Sequence, residues 1–149
     1  MSGLLEDKEA IRELFSEYCF RMDDGDYAGV AALFTEDGEW LATYSQARGH
    51  AEISALLAHN IPPRDSGIVR KHYVMNDRIR VAGNTATSRA SYLVFVGEGN
   101  GPEPIVAGCY IDELVKGADG WRFRSRRLAH DILGKLGLNL APPPADGAK

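Results

Sequence analysis

The spacing of apolar residues changes once along the chain, and that change predicts the architecture. Between Leu5 and about Met22, the residues Ile11, Leu14, Phe15, Tyr18 and Met22 recur three or four apart. That is one stripe of an amphipathic helix. Gly25 reads as its stop, and Asp26 is placed to cap a shorter second helix from Tyr27 to Phe34. "GEWLATY" (Gly38–Tyr44) alternates like a strand, and "AEISALLAHN" (Ala51–Asn60) reads as a third helix closed by Pro62 and Pro63.

Two-residue alternation then takes over. "VRKHYVMNDRIRV", "TATSRASYLVFV", "PIVAGCYIDELV" and "GWRFRSRRLAHDIL" read as strands, separated by turn signals at Gly83-Asn84, Gly97–Gly101 and Asp119-Gly120. Helices first and consecutive strands later predict an α+β fold with helices packed on one face of an antiparallel sheet. If that sheet curves strongly around the helices, a blind pocket is left between them, a natural place for a small molecule.

Composition narrows the function classes. The 149 residues suffice for one domain with a hydrophobic core. Seventeen basic against 21 acidic residues leave a net charge of −4, which argues against a nucleic-acid or anionic-membrane surface. No apolar run reaches the roughly 20 residues of a membrane span, and the N-terminal stretch does not read as a signal peptide. Cys19 and Cys109 are too few for a disulfide framework and read as reduced core thiols of a cytoplasmic protein. The segment "APPPADGAK" at the C-terminus reads as a loose, proline-rich tail.

Candidate chemistry starts from three aspartates, Asp23, Asp24 and Asp26. Stepping 100° per residue from Ile11 puts Asp23 at the edge of the apolar stripe and Asp24 on the solvent side. Asp26 has its capping job. Asp23 alone lacks an ordinary one, and it faces the negative end of the helix dipole at a typical cost of roughly 0.3–1 kcal/mol. A broken local rule of this kind marks a candidate functional residue. The ordinary alternative is screening by Arg21 or another surface cation.

A carboxylate base is usually paired with a histidine. His50 and His59 read as surface residues at the two ends of the third helix, and His130 has Asp131 or solvent as its simplest partner. His72 shares a strand face with Val74 and Asn76, which suits a pocket wall or a solvated sheet surface equally. Trp40 and Tyr44 share a face of their strand and could wall an aromatic ligand or fill the core. Tyr18 could send its hydroxyl inward, and Tyr92 and Tyr110 are further donors of open facing. In "GWRFRSRRLAH", Arg122, Arg124 and Arg126 fall on one face. Arg127 follows Trp121 and Phe123 to the other, where a buried guanidinium needs an anion. No phosphate-binding glycine loop, H-E-x-x-H or G-x-S-x-G is present, and neighbours such as Asp112 and Glu113 cannot face one metal. A metal or nucleotide enzyme is not expected.

The order helix-"EYCFRMDDGDY"-helix-"EDGEW"-helix-"RKHYVMND"-strands-"GWRF" resembles the SnoaL-like proteins of the nuclear transport factor 2-like superfamily, in pattern nearest to scytalone dehydratase and hexachlorocyclohexane dehydrochlorinase. The resemblance covers roughly Leu4 to Leu133. It implies a cone-shaped, curved, mostly antiparallel sheet packed on three N-terminal helices and enclosing a pocket. Residues 1–138 would be the single domain and 139–149 the tail. It also implies a homodimer or homotrimer. Matched residue by residue, the family's catalytic aspartate and histidine fall on Asp23 and His72. Departures are plain: Met22 replaces a tyrosine, and the serine and asparagine of the penultimate strand fall near Gly108 and Tyr110. A second pocket histidine is missing from "SYLVFV".

The resemblance thus implies a cofactor-independent dehydratase-like or lyase-like enzyme acting on a hydrophobic cyclic or aromatic small molecule. Asp23 and His72 would form its acid–base pair, with Tyr18, Trp40, Tyr44, Asn76, Tyr110 and Arg127 as substrate contacts. The alternatives are a non-catalytic ligand binder, an accessory protein like the small subunit of aromatic-ring dioxygenases, or a polyketide-cyclase or isomerase relative.

Overall fold

The computed structural model describes residues 2–97 and 101–134. The expected tail at 139–149 and the last residues of the expected domain lie outside these. Three helices, α1 (Ser2–Asp24), α2 (Tyr27–Ala31) and α3 (Gly49–Asn60), pack on one curved, unclosed sheet. Its strands are β1 (Phe34–Ala42), β2 (Ser45–Arg48), β3 (Val69–Ala82), β4 (Thr85–Gly97), β5 (Pro102–Gly117) and β6 (Gly120–Leu133), in the order β2-β1-β6-β5-β4-β3. All neighbours run antiparallel except β1 and β6. This is the α+β arrangement predicted by the change of period, with the curved sheet that the family resemblance implies. No helix among the described residues is long and apolar enough to cross a membrane.

α1 buries the predicted stripe, Ile11, Leu14, Phe15, Tyr18 and Met22, together with Cys19. It ends where Gly25 takes φ +74°, with Asp26 N–H donating to Arg21 C=O (2.9 Å) and Gly25 N–H to Met22 C=O (3.3 Å). These two bonds close the last turn in a left-handed cap that favours glycine. Asp26 then caps α2 by accepting from Gly29 N–H (2.9 Å).

The first strands differ from expectation. α2 stops at Ala31 rather than Phe34, and the sheet claims Phe34 onward, drawn in by Phe123 N–H donating to Leu33 C=O (2.9 Å). The β1–β6 register shifts between Phe34 and Glu39, which breaks the alternation and conceals the strand's first half. β2 escaped notice because it is four residues long and buries only Ala47. Tyr44, expected on a strand, sits in the turn between β1 and β2.

A second register shift corrects the last strand. Glu113 pairs with Ser125 and Leu114 with Phe123, so Arg124 is an extra residue of β6. Side-chain facing therefore resets after Phe123. Arg126, not Arg127, points inward; it is fully buried, while Arg127 is exposed. Its guanidinium forks onto Asp112, with Nε to Oδ1 at 2.8 Å and a terminal nitrogen to Oδ2 at 2.9 Å. Ser88 Oγ donates to the same carboxylate (2.9 Å). The cation also lies 4.1 Å from the ring centres of Tyr110 and Phe123 and 4.3 Å from that of Tyr18. Burial alone would lower the Arg126 pKa, but the Asp112 carboxylate outweighs it and holds the guanidinium above its ordinary value.

Asp112→Ala strands that cation in an apolar core and is expected to cost about 3–5 kcal/mol in urea unfolding. Arg127→Ala should stay within about 0.5 kcal/mol of the parent. Equal, small losses in both variants would show that the Arg126–Asp112 pair is not an anchor.

Candidate active site

Asp23 occupies the last turn of α1, and β3 runs past it. One carboxylate oxygen, Oδ1, accepts from His72 backbone N–H (2.9 Å) and from His72 Nδ1 (2.7 Å). Both side chains are buried, at 7% and 8% exposure. Lys71 Nζ lies 3.3 Å from the other oxygen. These contacts offset the poor dipole position. Arg21 does not screen Asp23, because its guanidinium reaches Glu17 (3.1 Å) and Gly29 C=O (2.7 Å). Asp24 is exposed and pairs with Arg64 (2.6 Å), which also donates to Asp23 C=O (3.1 Å) at the helix end.

His72 forms part of the wall of a cavity inside the cone. The cavity holds about 90 Å³, several times the roughly 10–15 Å³ that a single water needs on the same measure. Tyr18, Trp40, Tyr44 and Tyr110 all line it. Trp40 Nε1 donates to Tyr18 Oη (3.0 Å), so the Tyr18 hydroxyl keeps its own proton for another acceptor. Burial raises the pKa of Tyr18 and pushes that of Tyr110 well up, keeping both as neutral donors.

Two expected contacts are not in this cavity. Asn76 adopts φ +57° at a bulge between Met75 and Arg78 and is exposed. The bulge ends the alternation that would have carried it inward beside His72. Arg127 faces solvent for the reason given above.

Ser45, Asn60, Arg70 and His130 add polar groups to the lining that the sequence does not point to, and Tyr92, of open facing in the sequence, turns inward. Arg70 stands two residues before His72 on the same strand face, and that spacing is the sequence signal for it. His130 was assigned to Asp131 or solvent, but its Nδ1 is hydrogen-bonded to the Tyr92 hydroxyl. The register explains the reach: Tyr92, Gly108 and His130 lie opposite one another on β4, β5 and β6. A Cβ at Gly108 would come 3.1 Å from the Tyr92 ring and 1.9 Å from Ala129 C=O, so the missing side chain lets Tyr92 span the middle strand. The second pocket histidine, absent from β4, is thus supplied by β6. His50, expected at the surface, is half-buried, and its Nε2 donates to Phe34 C=O (2.9 Å).

The two pocket histidines present opposite faces. His72 Nδ1–H donates to the Asp23 carboxylate, so Nε2 is the ring nitrogen left without a partner among the described residues. Burial lowers the His130 pKa and raises that of Tyr92. The phenol therefore donates to Nδ1 of a neutral His130, whose Nε2 carries the proton. One imidazole can take a proton and the other can give one. Cys19, behind the site, is an inert thiol, its pKa pushed by burial to about 11.

The family model for the SnoaL-like domain matches residues 4–127. The chain belongs to the SnoaL-like family. Solved structures agree with this SnoaL-like fold. A variant of Rv3472, a protein of unknown function from Mycobacterium tuberculosis, is 26% identical, with a TM-score of 0.80 over 89% of this chain and 76% of its own. A nuclear transport factor 2-like protein with a cystatin-like fold from Novosphingobium aromaticivorans is 29% identical, with a TM-score of 0.76 over 86% and 84%. A candidate scytalone dehydratase from Novosphingobium aromaticivorans DSM 12444 is 23% identical and shares the fold, with a TM-score of 0.78 over 99% and 100%. Comparison with curated proteins returned no significant match.

The buried neutral His130 has a consequence for stability. Its folded pKa lies below the ordinary 6.5, so between those values the unfolded chain binds a proton that the folded chain does not. Stability from neutral His130 is present above about 6.5 and drains as pH falls toward the folded pKa. Unfolding titrations from about pH 7.5 to pH 5 should show the parent losing more stability than His130→Gln. Parallel profiles would contradict a buried neutral imidazole.

Proposed function

We propose that this SnoaL-like protein is a cofactor-independent lyase of the dehydratase type, acting on a small cyclic or aromatic molecule. The single observation behind this reading is the buried Asp23–His72 contact, whose histidine lines an aromatic-walled cavity. A non-catalytic binder has no need to hold a histidine in one tautomer with a buried carboxylate.

His72 Nε2 removes a proton from substrate carbon. The C–H electron pair forms a C=C bond as the neighbouring C–O bond breaks, and the departing hydroxide takes the His130 Nε2 proton to leave as water while Nδ1 takes the Tyr92 phenol proton, so His130 stays neutral. The proton on His72 then returns to solvent, and the Tyr92 phenolate is reprotonated. Tyr18 and Tyr110 donate to a substrate oxygen where negative charge develops. If no leaving group is present, the same proton abstraction followed by reprotonation at another carbon makes an isomerase. Asp23 acts through His72 by holding its orientation and stabilising the imidazolium.

A panel of cyclic phenols and ketones incubated in heavy water tests the first step, with C–H exchange read by NMR. Exchange or turnover should fall roughly 10²–10⁴-fold in Asp23→Asn and His72→Ala, while unfolding midpoints barely move. Parent-like rates in either variant would rule the mechanism out.

A homodimer or homotrimer belongs to the same proposal. Val69, Tyr73 and Met75 on β3 and Ile111 on β5 expose apolar side chains suited to a second copy. Sedimentation velocity should find an oligomer that Tyr73→Lys combined with Met75→Lys dissociates. A monomeric parent would refute it.

A further inference from the structure

Among the described residues two arginines are more than nine-tenths buried, and they differ in one respect. Arg126 is fully matched in charge by Asp112. Arg70, at 8% exposure, has no such match. Each guanidinium keeps one buried nitrogen without a hydrogen-bond partner, Nε in Arg70 and a terminal nitrogen in Arg126, but for Arg70 no acidic side chain among the described residues lies within ion-pair distance. The titratable group nearest in influence is the neutral hydroxyl of Tyr27. Taking a guanidinium out of water is expensive unless an anion compensates it. Burial accordingly lowers the Arg70 pKa, yet an arginine stays charged at any physiological pH.

Arg70 lines the same cavity as His72, and no Asp or Glu is among the residues that line it. The wall combines one unmatched cation with phenol and imidazole donors and apolar surface. We infer that Arg70 is the receptor for a carboxylate carried by the small cyclic molecule that enters this cavity. A guanidinium fork matches a carboxylate in shape as well as charge. Arg70 and His72 lie on one strand face two residues apart, roughly 7 Å along the strand. A ring anchored on Arg70 therefore presents to His72 a carbon only a few bonds from its carboxylate. This deepens the acid–base reading and rests on it for the reacting carbon, while the binding itself does not.

The test uses unreactive probes and needs no turnover. Calorimetry compares benzoate and cyclohexanecarboxylate with benzamide and cyclohexanecarboxamide, their neutral counterparts. The parent should prefer each acid by roughly tenfold or more. Arg70→Lys should keep part of that preference, Arg70→Gln should lose it, and His72→Ala should retain it. Acids and amides binding alike to the parent would overturn the assignment. So would a preference that survives in Arg70→Gln, one that vanishes in His72→Ala, or the absence of binding by every probe. Loss of the acid–base mechanism with the preference intact would sink only the proposed reaction.

Discussion

A single buried ion pair organises the interior of this cone. Arg126 of β6 and Asp112 of β5 face each other across adjacent strands, and Ser88 of β4 completes the carboxylate's bonds. The guanidinium is flanked by Phe15 and Tyr18 from α1, Tyr110 from β5 and Phe123 from β6. One cation thus ties the helix to three strands through a fork of hydrogen bonds and a cage of rings. Replacing it with apolar side chains could be equally stable, but it would not hold Tyr18 and Tyr110 at fixed angles. Those two rings line the cavity, so the anchor of the fold also positions the site.

The site repeats one device. A polar group from one element is oriented by a partner from another: Asp23 of α1 for His72 of β3, Tyr92 of β4 for His130 of β6, Trp40 of β1 for Tyr18 of α1. Each pair leaves one hydrogen-bonding atom unspent. The cavity accordingly offers one acceptor and several donors with little freedom to rearrange, which is the preorganisation that acid–base chemistry needs. Arg70 lacks such a partner within the protein, and in that it differs from Arg126.

The helical part of this arrangement was legible in the residues. Ile11, Leu14, Phe15, Tyr18 and Met22 keep strict helical spacing, and Gly25 and Asp26 carry unambiguous capping chemistry. Geometry alone singled out Asp23 among three aspartates, because its neighbours had ordinary explanations. Its pairing with His72 came from the family resemblance, since no local rule joins residues 49 positions apart. Tyr18, Trp40, Tyr44 and Tyr110 were named as contacts, though the turn position of Tyr44 was not foreseen.

The four long strands β3 to β6 were legible as strands, yet their facing was not. A strand's side chains alternate with a period of two, so a single extra residue exchanges the two faces. One bulge sent Arg127 outward and Arg126 inward; another turned Asn76 to solvent. His130 depended on Gly108, a residue whose role exists only once β4, β5 and β6 lie side by side. The sequence by itself determined α1 and α3, the four long strands, the helix caps and the candidate aspartate, because these follow from contacts within a few residues. Only the tertiary structure decided which arginine is caged, which lines the cavity and which histidine opposes His72. Those outcomes depend on strand register, which is set by pairing across the sheet.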